Sequence, residues 1–288
     1  SKKIYDIVLM ELYHFSSLTH PSFNLLHSLQ YSHLKHTHMN TKYFIALITA
    51  TVIGLSCTES SKSPEVSVHL RTVIDITDPL TVMPDSTALL EVLGLKTYRN
   101  NSVRFGIAVI TDKALNPVTE LSLPNKATSD KNNPGDDIHY RDKEILFFYS
   151  RVTAVLQEIK IPKDSTEALS RSEVLTTLCK ELQELKEDRK SSRKLLYVFS
   201  DLMENGLFDA YHTPMATEKE KESVKQAILK MKILPDSLNG ITVYFFYNPH
   251  NREADIRFGN IVAIISALLK ERGATVFIQA SNKTVAYE

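Results

Sequence analysis

Lys194-Leu195-Leu196-Tyr197-Val198-Phe199-Ser200-Asp201 is the stretch on which the fold turns. Its first seven residues form a nearly continuous apolar run, the pattern of a strand covered on both faces, and the run stops at an acid. Ile241–Tyr247 and Ala274–Gln279 read the same way. Val66–Ile76 and Ser102–Ile110 are rich in β-branched residues and predict two further strands. Val118–Leu123 follows Asn116-Pro117 closely enough to return as a hairpin beside the second of these.

Helical patterns separate the strands. Ser86–Leu95 is short, whereas Asp142–Lys160 sets Ile145, Phe148, Tyr149, Val152, Val155, Leu156 and Ile159 on one stripe of period 3.6. Ser170-x-x-Glu173 predicts a capping box for a helix carrying Val174, Leu178, Leu182 and Leu185; Thr217-x-x-Glu220 predicts another, with Val224, Ile228 and Met231 inward. Asp255–Arg272 supplies Ile261, Ile264, Ile265 and Leu268, and Gly273 closes it. The order β-α-β-β-α-α-β-α-β-α-β implies an α/β fold: a doubly wound, mostly parallel sheet with one antiparallel edge strand. Ligands on such sheets bind outside the carboxyl ends of the strands.

Composition narrows the function. Lys+Arg and Asp+Glu are 34 each, so the formal charge is zero, and no basic run with interleaved aromatics exists. Nucleic acid is therefore not an expected partner. The eight glycines form no phosphate-cradling loop, and neither a Gly-x-Ser-x-Gly elbow nor a Cys-x-x-Cys or His-Glu-x-x-His pair is present. Of the two cysteines, Cys179 lies on the apolar stripe of a helix and reads as a small buried hydrophobe.

Cys57 has a different setting. Met39-Asn40-Thr41-Lys42 precedes the apolar run Tyr43–Leu55, which is shorter than the roughly 20 residues that span a bilayer and has the layout of an export signal. Thr58–Pro64 has the composition of a tether. Ile53-Gly54-Leu55-Ser56-Cys57 resembles the lipobox of bacterial lipoproteins, with Gly54 in place of the usual leucine. That resemblance implies a diacylated Cys57 as the mature N-terminus and a location in the bacterial cell envelope, periplasmic or surface-exposed. The expected organisation is a non-native upstream segment at 1–38, where six of the ten histidines lie, a signal peptide at 39–56, a tether at 57–65 and the α/β domain at 66–288.

Two strand ends carry acids: Asp75-Ile76-Thr77-Asp78-Pro79 and Asp201-Leu202-Met203-Glu204-Asn205. Acids at adjacent strand ends repel and raise each other's pKa, and a divalent cation relieves that repulsion. Carboxylate and hydroxyl oxygens suit Mg²⁺ or Ca²⁺ over Zn²⁺. The plainer alternative is that Asp78-Pro79 marks a turn and Asp201 caps the next one.

From Val66 to Gln279 the pattern resembles a von Willebrand factor A domain, a Rossmann-like fold, in element order and in the hairpin after the second strand. The resemblance implies a metal-ion-dependent adhesion site with Asp75 and Thr77 in its first loop and Asp201 in its last. Pro79 replaces the next hydroxyl, and the family's threonine has Asp136 or, in the set preferred here, Asp137 nearest to it, in the loop Pro134–Ile138. Either Mg²⁺ or Ca²⁺ is held by Asp75, Thr77, Asp201 and Asp137, or the module works without metal. The expected function is a non-enzymatic, lipid-anchored module that binds a protein partner at its carboxyl edge. The alternative is a metal-dependent phosphoester hydrolase, with Asp75, Asp78 and Asp201 holding the cation and His250 and Arg252 as acid and anion clamp.

Overall fold

Six strands form one sheet: β1 (Val68–Asp75), β2 (Val103–Ile110), β3 (Val118–Leu123), β4 (Arg193–Phe199), β5 (Ile241–Phe246) and β6 (Thr275–Gln279). The order is β3-β2-β1-β4-β5-β6, with only the β2–β3 pair antiparallel. The doubly wound, mostly parallel sheet with an antiparallel edge strand is thus present, each strand within two residues of its expected bounds. This computed structural model describes residues 67–78, 81–111, 118–125, 134–159, 172–210, 213 and 215–285, all within the unit Ser63–Glu288. Cys57, Pro79 and the expected signal and tether lie outside the described residues.

Helices cover both faces. On one, α1 (Ser86–Val92) and α2 (Pro134–Glu158) bring Leu89, Val92, Ile145, Phe148, Val152 and Leu156 onto Leu70, Ile74, Phe105, Leu195, Tyr197 and Phe199. On the other, α3 (Val174–Glu187), α4 (Glu218–Lys230) and α5 (Arg252–Glu271) pack Leu178, Leu182, Ile228, Ile261 and Leu268 against Val73, Leu196, Val198, Val243 and Phe245. β4 feeds both cores because its apolar side chains alternate between the faces.

The caps explain where the helices begin. Thr217 and Glu220 form the expected reciprocal box at α4. Asn251 accepts from the Ala254 N–H at 2.8 Å, so α5 starts at Arg252 rather than Asp255. Gly273 closes α5 at φ +93, a left-handed conformation that favours glycine. Two expectations are corrected. The Ser170–Glu173 box does not cap α3: Glu173 is the N-cap without a side-chain bond, and the Glu204 carboxylate from the β4 loop accepts from the Leu175 N–H at 2.9 Å. Pro134 is the first residue of α2, a position that wants no N–H, so Asp136 and Asp137 belong to a helical turn and not to a loop.

Charge is buried on the α3 side of β1. Arg71 is 2% exposed, and its guanidinium donates to Glu181 of α3 and Glu120 of β3. Burial opposes its charge, but these two carboxylates outweigh that and raise its pKa. His69, two residues earlier, donates its Nδ1–H to the Asp188 carboxylate at 2.7 Å. Room for the guanidinium comes from Gly106, opposite Arg71 in the β1–β2 register, where any Cβ would overlap it. Gly106→Ala is expected to destabilise the fold by about 1–3 kcal/mol, the usual cost of overpacking a rigid site. Chemical denaturation would register this as a lower midpoint with an unchanged slope.

Candidate functional site

In this strand order the connections diverge between β1 and β4, and the crevice at their carboxyl ends is where sheets of this kind take ligands. Asp75 is the last residue of β1. The register pairs Ile74 with Phe199, so Ser200 and Asp201 emerge beside Asp75 as β4 ends. Asp75 is fully buried. Its Oδ1 accepts from the Thr77 N–H at 3.0 Å and the Thr77 hydroxyl at 2.6 Å, and its Oδ2 accepts from the Ser200 hydroxyl at 2.8 Å. A third loop joins through Ser172, just before α3, whose Oγ lies 3.4 Å from Thr77 Oγ1.

The β4 loop is held as tightly. Ser200 Oγ accepts from the Leu202 N–H at 2.8 Å, and Asp201 Oδ1 from the Met203 N–H at 2.9 Å. Between them Leu202 adopts φ +61, an uncommon left-handed conformation for a branched side chain, kept in place by its burial in the core. Glu204, also fully buried, accepts from the N–H groups of Leu175, Gly206 and Leu207 at 2.9, 2.7 and 3.1 Å. It ties the loop to the start of α3 with both of its carboxylate oxygens.

Electrostatics set this edge apart. Burial pushes the Asp75 carboxyl above its ordinary range against the hydrogen bonds from Thr77 and Ser200. Asp201 rises to about 8, through burial first and then repulsion from Asp75 and Asp78. Among the described residues neither acid has an ion-pair partner. His250 Nε2 stands 4.0 Å from Asp78 Oδ2, and its ring meets Tyr247 edge-on with centroids 6.3 Å apart. Burial and the charges of Asp201, Asp78 and Asp255 push the Tyr247 hydroxyl up to about 12.

The structure therefore brings Asp75, Thr77 and Asp201 to one edge, with Asp78 and His250 at its rim. Arg252 is the first residue of α5. The side chain of Asp137 lies outside the described residues, and its helical backbone overturns the loop assignment. Asp201 also makes the turn-capping bond of the plainer reading. Among the described residues no group of three or more His, Cys, Asp or Glu side chains is gathered closely enough to hold a metal. The hydroxyls of Ser200 and Ser172 were not singled out from the sequence. Ser200 could have been, as the neighbour of Asp201; Ser172 was hidden inside the supposed capping box.

A second polar cavity, of about 350 Å³, opens over β2 and β3 and is lined by His69, Arg71, Arg104, Glu120 and Ser122. Burial lowers the His69 pKa to about 4, helped by Arg104, so the imidazole is neutral against Asp188. Cys179 is a buried free thiol pushed up to about 12 by burial, which leaves it unreactive. Compared with known proteins, the chain matches no family and no curated sequence.

The raised pKa of Asp201 has a definite sign for stability. Between its ordinary 3.8 and about 8 the folded chain holds a proton that the unfolded chain has released, so this residue lowers stability as pH rises through that window. His69 acts oppositely, its share of stability growing between about 4 and 6.5. Asp201→Asn removes only the first effect. Without added cations, the variant should gain on the parent protein progressively from pH 4 to pH 8, read as the difference in urea midpoint across that range.

Proposed function

We propose that the chain is an exported, lipid-anchored binding or scaffold module that engages a protein partner with the carboxyl edge of a von Willebrand factor A-like domain. The observation that carries this reading is the convergence of three loops on Asp75. One buried carboxylate collects hydroxyls from the β1 loop and the β4 loop, and through Thr77 reaches the loop before α3. An edge held by so many fixed polar groups suits recognition of a partner without prior rearrangement.

The donor set fits a hard cation in kind. It contains oxygen only, and its two acids, Asp75 buried and Asp201 half-buried, lack an ion-pair partner among the described residues. Asp75, Thr77 and Asp201 would hold Mg²⁺ or Ca²⁺, with Ser172 and Ser200 as further hydroxyls. When bound, the ion would supply a positive centre for an acidic side chain of the partner. The protein's own residues position the loops, exclude water from Asp75 and keep both acids close. The first loop reads Asp75-Ile76-Thr77-Asp78, with no acid two residues after Asp75 to pair with a phosphoryl nucleophile, which favours binding over hydrolysis.

Calorimetric titration with Mg²⁺ and with Ca²⁺ should give a heat of binding and a higher melting temperature, both lost in Thr77→Val and reduced in Asp201→Asn. Absence of heat and of any melting shift with either ion retires the metal. Partner capture from envelope extracts should fail with the same two variants. Full retention of the partner by both would move the binding surface away from this edge.

The anchor rests on Cys57 and its flanking pattern. Two acyl chains give stable membrane attachment, since each buried CH₂ contributes about 0.8 kcal/mol. Metabolic labelling with a fatty acid should mark the chain and disappear in Cys57→Ala; undiminished labelling of that variant rejects the anchor.

A further inference from the structure

The outer face of α2 is unlike that of the other helices. α4 exposes Lys219, Glu222, Ser223, Gln226 and Lys230, the polar face expected of a surface helix. α2 instead exposes Leu146 and Phe147 at 66% each and Tyr140 at 63%, whereas α1, α3 and α4 expose no large apolar side chain and α5 exposes Ile256 alone. Single exposed apolar residues are ordinary on a protein surface; three on one helix face are not.

Charge frames this group. Lys143 and Arg151 are exposed four residues before and four after Phe147, so the three side chains form one line about 12 Å long. Neither cation has an ion-pair partner among the described residues. The acids of this stretch are committed elsewhere: Asp142 pairs with Arg99 at 2.8 Å and Glu144 with Arg141 at 3.1 Å. Toward the C-terminus the next acid on the outer face is Glu158, about 16 Å beyond Phe147.

The helix is also placed at the end of the sheet where the chain enters. Arg141 donates to the carbonyls of Asn101 and Pro124 at 2.9 and 3.0 Å, where β2 begins and β3 ends. The first turns of α2 therefore lie at the amino edge, where β1 starts at Val68.

We propose that this face of α2 lies on an anionic lipid surface, with Leu146 and Phe147 dipped below the headgroups and Lys143 and Arg151 on the phosphates. The inference rests on the lipid-anchored reading above and adds which side of the domain meets the lipid. The stretch from Cys57 to Val68 can reach up to about 36 Å, against a helix diameter of about 10–12 Å, so the anchor can share a plane with this face. No described helix is long and apolar enough to cross a bilayer, so the contact is shallow. Lysine is depleted at the centre of protein interfaces, whereas Lys and Arg stems beside apolar residues suit a membrane interface. A cation on each side of the apolar pair therefore favours lipid over a protein groove.

The chain contains no tryptophan, so Phe147→Trp supplies a sole reporter in this face. Vesicles of phosphatidylglycerol mixed with phosphatidylcholine, added to the full chain, should shift its emission to the blue and quench it when the acyl chains carry bromine. Ile256→Trp, exposed on α5, should report water throughout. Vesicles of phosphatidylcholine alone should quench Phe147→Trp far less. Lys143→Gln with Arg151→Gln should weaken docking about thirtyfold, the effect of two cations near an anionic surface, and keep the circular dichroism spectrum. Emission from Phe147→Trp that stays that of water overturns the proposal, as does equal quenching of the two reporters or equal quenching on neutral vesicles. A blue shift that requires an added protein partner assigns the face to that partner and rejects the lipid. The vesicles dock this face without acylation. Failed fatty-acid labelling with Phe147→Trp quenched thus removes the anchor alone, and labelling without quenching removes this face alone.

Discussion

Three ionisable side chains, His69, Arg71 and Asp75, share one face of the central strand, and each is buried. A charge or polar group taken from water costs several kcal/mol unless it is paired and hydrogen-bonded, so β1 dictates what must pack against it. α3 and its flanks meet most of that demand. Glu181 reaches Arg71, Asp188 reaches His69, and Ser172 reaches the Thr77 that bonds Asp75. The helix is thus placed by polar matching at both ends of β1, while Leu178 and Leu182 fill the core between. Within this charged layer Glu181 Oε1 is left without a hydrogen-bond partner among the described residues.

The same requirement shapes the carboxyl edge. Asp75 is satisfied by hydroxyls and one N–H, which share the negative charge without neutralising it. Asp201 beside it is pushed up by burial first and then by the Asp75 charge. The cost is carried by the rest of the fold: Leu202 is buried in a left-handed conformation, and Glu204 spends its carboxylate on three backbone N–H groups. Backbone strain and two acids without a counter-charge in one crevice are features that folding alone does not select, which is why this edge is the functional candidate.

The sheet was legible from the sequence because its strands are apolar runs broken by clear turns, and the period of 3.6 found the helices. Asp75 and Asp201 were legible because the acids follow strands directly. The charged layer was not: His69 and Arg71 interrupt a β-branched run, and only the fold brings Glu181, more than a hundred residues on, against them. Ser172 and Glu204 failed for a related reason. A helix cap taken from a distant loop leaves no local spacing to read, so a nearby Ser-x-x-Glu pattern is given the work that Glu204 does.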